Sequence, residues 1–542
     1  MVTSRMRLRH AAGLLVFGAG LALSPLEGQE AVGLDLGGTI QANGEAERYL
    51  RVLQLLGQVP EYPVAIRPWS RLEARRLVPT SAHPWAARFA AADSTPHGLR
   101  LLRPEAGFVW NSTTPEGTQP EWLGRGATLR VAGGVRFSRG VLSVQIAPRA
   151  YWSQNASFPL APNGLSGDAA VRDARFPAGI DAPQRFGTQA FARVDAGMSQ
   201  IAVDTRAASF GFSTAPLAWG PARDEPLVIG PNAGGFPHAY IQSGSPWPIG
   251  IGHLHVKLIA GRLEQSEWSP MQSGDRSRFL SAAVISLQPR GADGLELGVV
   301  RASFQVWQPG TATLKNTLRP FTGILSNPTK LLNETNEDGY ASMFFRWSIA
   351  PAGFEVYGEY GREDYSGTVR GILEKPDDLG NLLLGAQRAT HSSSGTVGVY
   401  RAELINAELS ANERGQRGFA RPVPPYTHFR VRQGVTVNGQ VLGSATAYGG
   451  AGWRAARDVY SSAGRESIIV ERRLVKDWLP VAAGPEGRAP EVRYSARYER
   501  LQFRAKGREL GGGVGVSYTL NRNTVPGDDS FNLQVAVQWR GL

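Results

Sequence analysis

The residues best suited to hold a ligand lie in one stretch, Leu217 to Ser245 (LAWGPARDEPLVIGPNAGGFPHAYIQSGS). Trp219 and Phe236 offer ring faces, Asn232 a planar amide, and Arg223 and His238 polar heads that can donate hydrogen bonds. Saccharides are bound by stacking on aromatic faces and by planar groups that hydrogen-bond hydroxyls, and arginine adds affinity for an acidic glycan. The same stretch also reads as a folded loop. Trp219-Gly220-Pro221, Gly234, Gly235 and Pro237 set backbone conformation, and the glycines and prolines are assigned to that task. Trp219, Arg223 and Asn232 stand open between the two roles.

Other constellations invite catalysis and do not carry it. His253 and His255 sit at i, i+2 and could begin a zinc site, but the sequence places no third ligand, so they are expected to line a polar surface. Glu355 and Glu359 share a strand face with Tyr357, like paired glycosidase carboxylates. Strand alternation points instead to solvated charges paired with arginines of neighbouring strands. Gly511-Gly512-Gly513-x-Gly515 precedes a strand rather than a helix and is no dinucleotide loop. There is no Gly-x-Ser-x-Gly elbow. The chain has no cysteine, which excludes disulfides, thiolate metal sites and a lipid-anchored N-terminus. No catalytic residue, cofactor or metal is expected.

The elements around these residues change period along the chain. In residues 29–105 the apolar spacing is helical. Asn43 is placed to cap a helix carrying Ala46, Tyr49, Leu50, Leu53 and Leu56, which Gly57 ends. Ser70-Arg-Leu-Glu73 is a capping box, and Trp85 to Ala92 suits a third helix. From about Gly107 the period is 2. Met343, Phe345, Trp347 and Ile349 oppose Ser342, Arg346 and Ser348; Phe531, Leu533, Val535, Val537 and Trp539 oppose Asn532, Gln534, Ala536, Gln538 and Arg540. Segments near ten residues suit tilted membrane strands. A soluble sandwich alternates too. Arginine-rich polar faces, aromatic residues near strand ends (Trp152, Trp268, Trp307, Tyr360, Tyr400) and an amphipathic last strand favour a wet-lumened barrel. Ser138–Gly140 and Pro351–Gly353 read as tight turns. Asn155–Arg185, Ala215–Pro248, Gly310–Asp338, Gly367–Ser394 and Arg454–Arg465 read as long connections.

The N-terminus reads as an export signal. Arg5, Arg7, Arg9 and His10 precede an apolar run, Ala11 to Leu23, that is too short to span a bilayer as a helix, with a cut near Gly28. Glycine is abundant (65 residues) and charged residues are sparse at 19%, against the usual ~25%. The net charge of +12 is spread without a Lys/Arg block, so nucleic acid is not an expected partner.

The ordered motifs resemble the capsule assembly Wzi family of outer-membrane barrels. They are Trp219-Gly220-Pro221 with Pro226-Leu-Val-Ile229 and Pro231-Asn-Ala-Gly-Gly-Phe-Pro237, then Ile259 to Glu264, FEVYGEYGRED from Phe354 to Asp364, and Gly434 to Gly443. Arg67 to Glu73 matches a helical element of the same family. The resemblance implies an all-β fold, a transmembrane antiparallel β-barrel of about 18 strands with a small N-terminal periplasmic helical segment. It divides the chain into a signal peptide (1–28), that helical segment (29–105) and a barrel (106–542) with a plug loop near 215–248. It also implies a lectin-like role in holding surface polysaccharide at the cell outer membrane; by their chemistry Trp219, Arg223, Asn232, Phe236 and His238 are the expected contacts, and a monomer without enzymatic activity is expected. Its other partners would be outer-membrane lipid, lipopolysaccharide and the barrel-assembly machinery. The alternatives are an anion-leaning porin and a carbohydrate-active outer-membrane enzyme.

Overall fold

A computed structural model describes residues 39–541 except 78–84, 86–97, 117–119, 272–275, 323–336, 364–372, 375, 377–379, 393–394, 409–424, 477–488 and 505–506. The proposed signal peptide and most of the third helix, 86–92, lie outside these residues. Alternation from residue 98 onward closes into an antiparallel barrel of 18 strands. They are β1 (Gly98–Asn111), β2 (Gly126–Arg139), β3 (Leu142–Ile146 with Arg149–Ser153), β4 (Phe191–Asp195 with Gln200–Asp204), β5 (Ala208–Ser213), β6 (His238–Ser243 with Trp247–Ile249), β7 (Gly252–Glu264), β8 (Ser277–Pro289) and β9 (Leu295–Val306). The other half is β10 (Glu337–Ile349), β11 (Phe354–Glu363), β12 (Gly380–His391), β13 (Val397–Asn406), β14 (Ala451–Ser461), β15 (Gly464–Lys476), β16 (Glu491–Phe503), β17 (Glu509–Leu520) and β18 (Ser530–Arg540). Closure pairs β18 with β1, from Glu105↔Arg540 to Asn111↔Gln534, so no edge is left to template another chain. In β3, Pro148 has no N–H for the ladder and splits the strand in two.

The outer face is apolar. In β10, Met343, Phe345 and Trp347 point outward and are exposed, while Ser342, Phe344, Arg346 and Ser348 point inward and are buried. Trp152 and Tyr400 are also exposed on the outer face. So continuous a band of exposed apolar side chains is stable against lipid and not against water.

The strand connections differ sharply at the two ends. One end has only short links, such as 140–141, 250–251, 350–353 and 462–463; the other carries long ones, including 154–190, 214–237 and 407–450. Several sequence-based bounds move. The first wall strand begins at Gly98, so a boundary at 105/106 falls inside it; Arg103 and Pro104 hid it, and the ladder shifts register between Leu102 and Glu105. Residues 454–465 form a tight hairpin of β14 and β15 rather than a long loop. Residues 238–249 and 380–391 belong to wall strands, which shortens two other expected connections.

Residues 39–77 sit at the short-link end. Helix α1 (Glu45–Leu55) places the Tyr49 hydroxyl 2.8 Å from the Gly464 carbonyl, and helix α2 (Arg71–Arg75) places Arg71 3.0 Å from the Gly140 carbonyl. The capping box is complete: Glu73 N donates to Ser70 Oγ at 3.3 Å and Ser70 N donates to Glu73 Oε2 at 2.7 Å. The cap of α1 is Gly44 rather than Asn43. Asn43 lies one residue earlier at φ 60° and donates its N–H to Glu47.

Candidate functional site

The loop 214–237 enters the lumen from the long-link end and meets the N-terminal segment. Ile66 and Arg67 pair antiparallel with Trp219 and Ala218, and Arg67 donates to the carbonyls of Gly220 (3.1 Å) and Ala222 (2.7 Å). Two chain segments from opposite mouths therefore form one plug. Gly220 at φ 94° makes the turn; a Cβ there would also lie 2.8 Å from a carboxylate oxygen of Glu359. Trp219 is 0% exposed and packs with Leu227, Val228, Ile229 and Phe236 against wall residues of β7 to β13.

This placement fixes what the five expected ligand contacts touch. Trp219 and Phe236 lie in the plug core. Arg223 is buried, with its guanidinium on the Tyr460 hydroxyl (3.1 Å) and its backbone N–H on Glu403. His238 is buried at the start of β6, its Nδ1 2.8 Å from the Phe236 carbonyl. Asn232 donates to the Val441 carbonyl at 2.7 Å and is half-buried. Asn232 also lines a cavity.

The plug is fastened by carboxylates, most of which the loop motif does not reveal. Glu296 on β9 accepts from the N–H groups of Val64 (3.0 Å) and Ala65 (3.2 Å). Glu403 on β13 accepts from Arg223, Asp224 and the Tyr357 hydroxyl. Their inward strand parity was the available signal. Glu355 and Glu359 do face the lumen, yet each is 1% exposed rather than solvated. Glu355 pairs with Arg346 (2.6 Å) and Arg51 (3.3 Å), and Glu359 accepts from Ser342 (2.6 Å); the plug has displaced the water that an open lumen would supply. His255 bridges Ser243 Oγ (2.5 Å) and Glu73 (3.0 Å). Among the described residues, no group of three or more candidate ligands could hold a metal.

Burial by itself would raise the Glu47 carboxyl, but Arg67 and Arg51 outweigh it and hold the group below its ordinary value. Burial likewise opposes ionisation of Glu73, and the hydrogen bond and charge of His255 reverse it. At Asp224, in the plug, Arg401 and Arg454 overcome burial and hold the carboxyl far below its ordinary range. The Glu47 and Asp224 carboxyls thus favour the charged form, Glu47 through arginines of the N-terminal segment and Asp224 through arginines of the wall.

On the other flank the lumen is not filled. A chamber of about 350 Å³ runs along β1 and β16–β18, from α1 to Leu123, and adjoins a second of about 220 Å³. The inward positions of β17 include Gly511 and Gly513, so the wall there has no side chain to occupy the space. Arg48, Arg130, Arg401, Arg454, Arg497 and Arg540 line it, with Glu45, Glu105, Asp224 and Glu499 between them.

A third feature lies at the long-link mouth. Phe186 is buried between Trp122 (ring centroids 5.0 Å) and Trp268 (5.4 Å), with Phe191 stacked at 5.7 Å and the Arg193 guanidinium 5.7 Å from the Phe186 ring. Asn155 ties the loops together. Its amide donates to the Phe186 and Gln189 carbonyls, and its Oδ1 accepts from the Trp122 indole at 3.2 Å. Gly187 at φ 71° leaves room for Trp268, whose ring would be 2.8 Å from a Cβ. Trp122 and Trp268 keep partly exposed faces. Trp268 belongs to this cluster rather than to an interfacial girdle, and the cluster unites residues far apart in the chain.

No family model matches the chain, and no curated protein matches it. Solved structures do. Wzi, described as an outer-membrane protein involved in group 1 capsule assembly in Escherichia coli and a carbohydrate-binding β-barrel, superposes with a TM-score of 0.62 at 13% identity, over 92% of this chain and 99% of Wzi. OprD of Pseudomonas aeruginosa superposes at 0.38 and 9% identity, over 82% of this chain and 92% of that one, and a BenF-like porin from Pseudomonas fluorescens Pf-5 also at 0.38. The first likeness shows a shared fold; the porin scores are too low to bear on function.

Proposed function

We propose that this chain is a non-enzymatic, lectin-like barrel of the outer membrane that binds surface polysaccharide and helps to anchor or assemble it, with the short-link end facing the periplasm. The observation that carries the reading is the pairing of a three-segment plug with an ordered aromatic cluster at the long-link mouth. A plug built from residues 62–69, 217–236 and 426–442 removes the wide pore that a general diffusion channel needs. The partly exposed rings of Trp122 and Trp268, beside Arg193, offer the stacking faces and the cation that an acidic glycan would engage. The fold shared with Wzi agrees with this role. The test is binding of the purified barrel to a panel of immobilised polysaccharides. Wild type should bind an acidic glycan, and W122A/W268A should lose about 5- to 30-fold in affinity, the worth of one or two stacking contacts. Equal binding by both proteins would remove the mouth from the account.

The arginine-lined chamber favours one second reading, an anion-leaning porin. Reconstitution in planar bilayers separates the two: the plugged reading expects no large conductance steps, and the porin reading expects steps selective for anions.

A further inference from the structure

The chamber beside the plug is a built space with an uneven distribution of charge. Asp224 is held by Arg401 and lies 3.5 Å from Arg454. Glu45 is held by Arg465 at 2.8 Å, and Arg540 is spent on Glu105 and Glu509. Three guanidinium groups are held more loosely. Arg497 is 3.7 Å from Glu499, Arg48 is 4.0 Å from Glu45 with one hydrogen bond from its Nε to the Asn43 carbonyl at 3.1 Å, and Arg130 is 3.7 Å from Glu121 with one hydrogen bond to Gln538 at 3.1 Å. None of those three ion pairs is within normal hydrogen-bond length. Donors are therefore in surplus where the wall is emptiest, beside Gly511 and Gly513. The space is not sealed: Gln538, on its lining, is exposed.

We infer that this chamber is a binding site for a carboxylate-bearing sugar, distinct from the aromatic cluster at the mouth. Its volume of about 350 Å³ falls within the range of small-molecule sites. Arg48 and Arg497 would clamp the carboxylate, since a guanidinium presents paired donors matched to that group. Gln538, Gln534 and Asn232 supply planar amides for hydroxyls, and the paired carboxylates Glu45 and Asp224 keep acceptor lone pairs for hydroxyl donors. A bare inorganic anion would use the arginines and leave the acceptors idle; a hydroxylated carboxylate uses both. The inference deepens the polysaccharide reading by naming an acidic sugar unit, and it rests on that reading for the identity of the ligand.

The test is calorimetric titration of the purified full-length barrel with D-glucuronate, D-glucose and inorganic phosphate. Glucuronate should bind, and glucose and phosphate should bind at least about tenfold more weakly. R48Q/R497Q should lose at least about tenfold for glucuronate. R290Q, at the exposed turn between β8 and β9, should match wild type. Should R48Q/R497Q fail to fold, G513L on the chamber wall provides the second variant, with the same expected loss by filling the space. Absence of glucuronate binding, phosphate binding as tight as glucuronate, or unchanged affinity in folded R48Q/R497Q would each overturn the inference. A barrel that binds glucuronate in the chamber but no polysaccharide at its mouth would overturn the proposed function and leave this site standing.

Discussion

The two flanks of the lumen are made from the same alternating strands and reach opposite states. Along β7 to β13 the inward positions carry Ile259, Leu280, Val284, Val300, Phe304, Phe344 and Leu383, and the plug meets them with Leu217, Trp219, Val228 and Phe236. Water is expelled, Glu355 pairs with Arg346, and Glu359 accepts from Ser342. Along β1 and β16 to β18 the inward positions carry Gly511, Gly513, Gln534, Gln538, Arg497 and Arg540, and the plug does not reach them. One flank shuts the barrel, and the other keeps a wet, cationic space. Asymmetric filling lets a plug of three segments close a wide barrel without filling the whole lumen.

The comparison can be broken most severely on the filled flank. Trp219→Ala should destabilise the plug by about 3–5 kcal/mol, the usual cost of emptying a buried indole. It should appear as a lower melting temperature and as conductance in a bilayer assay; a silent, equally stable variant would show that the plug is not held by this core. Glu355→Gln should cost about 3 kcal/mol, near the low end for a broken buried pair, because Arg346 keeps Glu61 at 2.8 Å and Glu296 at 3.7 Å. Chemical denaturation of the folded variant measures it.

Acid should act next. The Glu47 and Asp224 carboxyls lie below their ordinary values of 4.5 and 3.8 in the folded chain. A depressed carboxyl stabilises the fold at pH above its unfolded value, and that contribution is lost as pH falls through the folded value. The plug should therefore be intact at neutral pH and loosen progressively below about pH 4, read as protease cleavage within residues 214–237. Unchanged protection at acidic pH would contradict the arginine clamps. The smallest effect belongs to the open flank: Arg497→Gln should change stability by no more than about 0.5 kcal/mol, because its one close pair is long and partly solvated. A large loss would mean that the chamber arginines are structural.

Much of this architecture was legible in the sequence where the two strand faces contrast. Met343 to Ile349 and Phe531 to Arg540 gave their faces directly, and the Ser70–Glu73 box gave its helix. The β14–β15 hairpin was hidden because Arg457 faces outward beside Ala455 and stacks 6.0 Å from Tyr400, so charge falls on both faces and the alternation fades. The Trp-Gly-Pro turn and the Gly-Gly-Phe-Pro run mark residues 217–245 as distinctive in the sequence alone. What could not be read was their burial, because the surfaces that cover Trp219 and Phe236 come from Ala65 and Ile66 on one side and from residues 426–442 on the other. The aromatic cluster escaped for the same reason, since Trp122, Phe186 and Trp268 meet only in three dimensions.

We propose a barrel that holds polysaccharide at the cell surface by its aromatic mouth. The direct measurement is cell-associated against shed polysaccharide in a deletion strain carrying wild-type or W122A/W268A protein at equal levels in the membrane. The account predicts retention with wild type and shedding with the deletion and with the variant. Retention unchanged by deletion would contradict it.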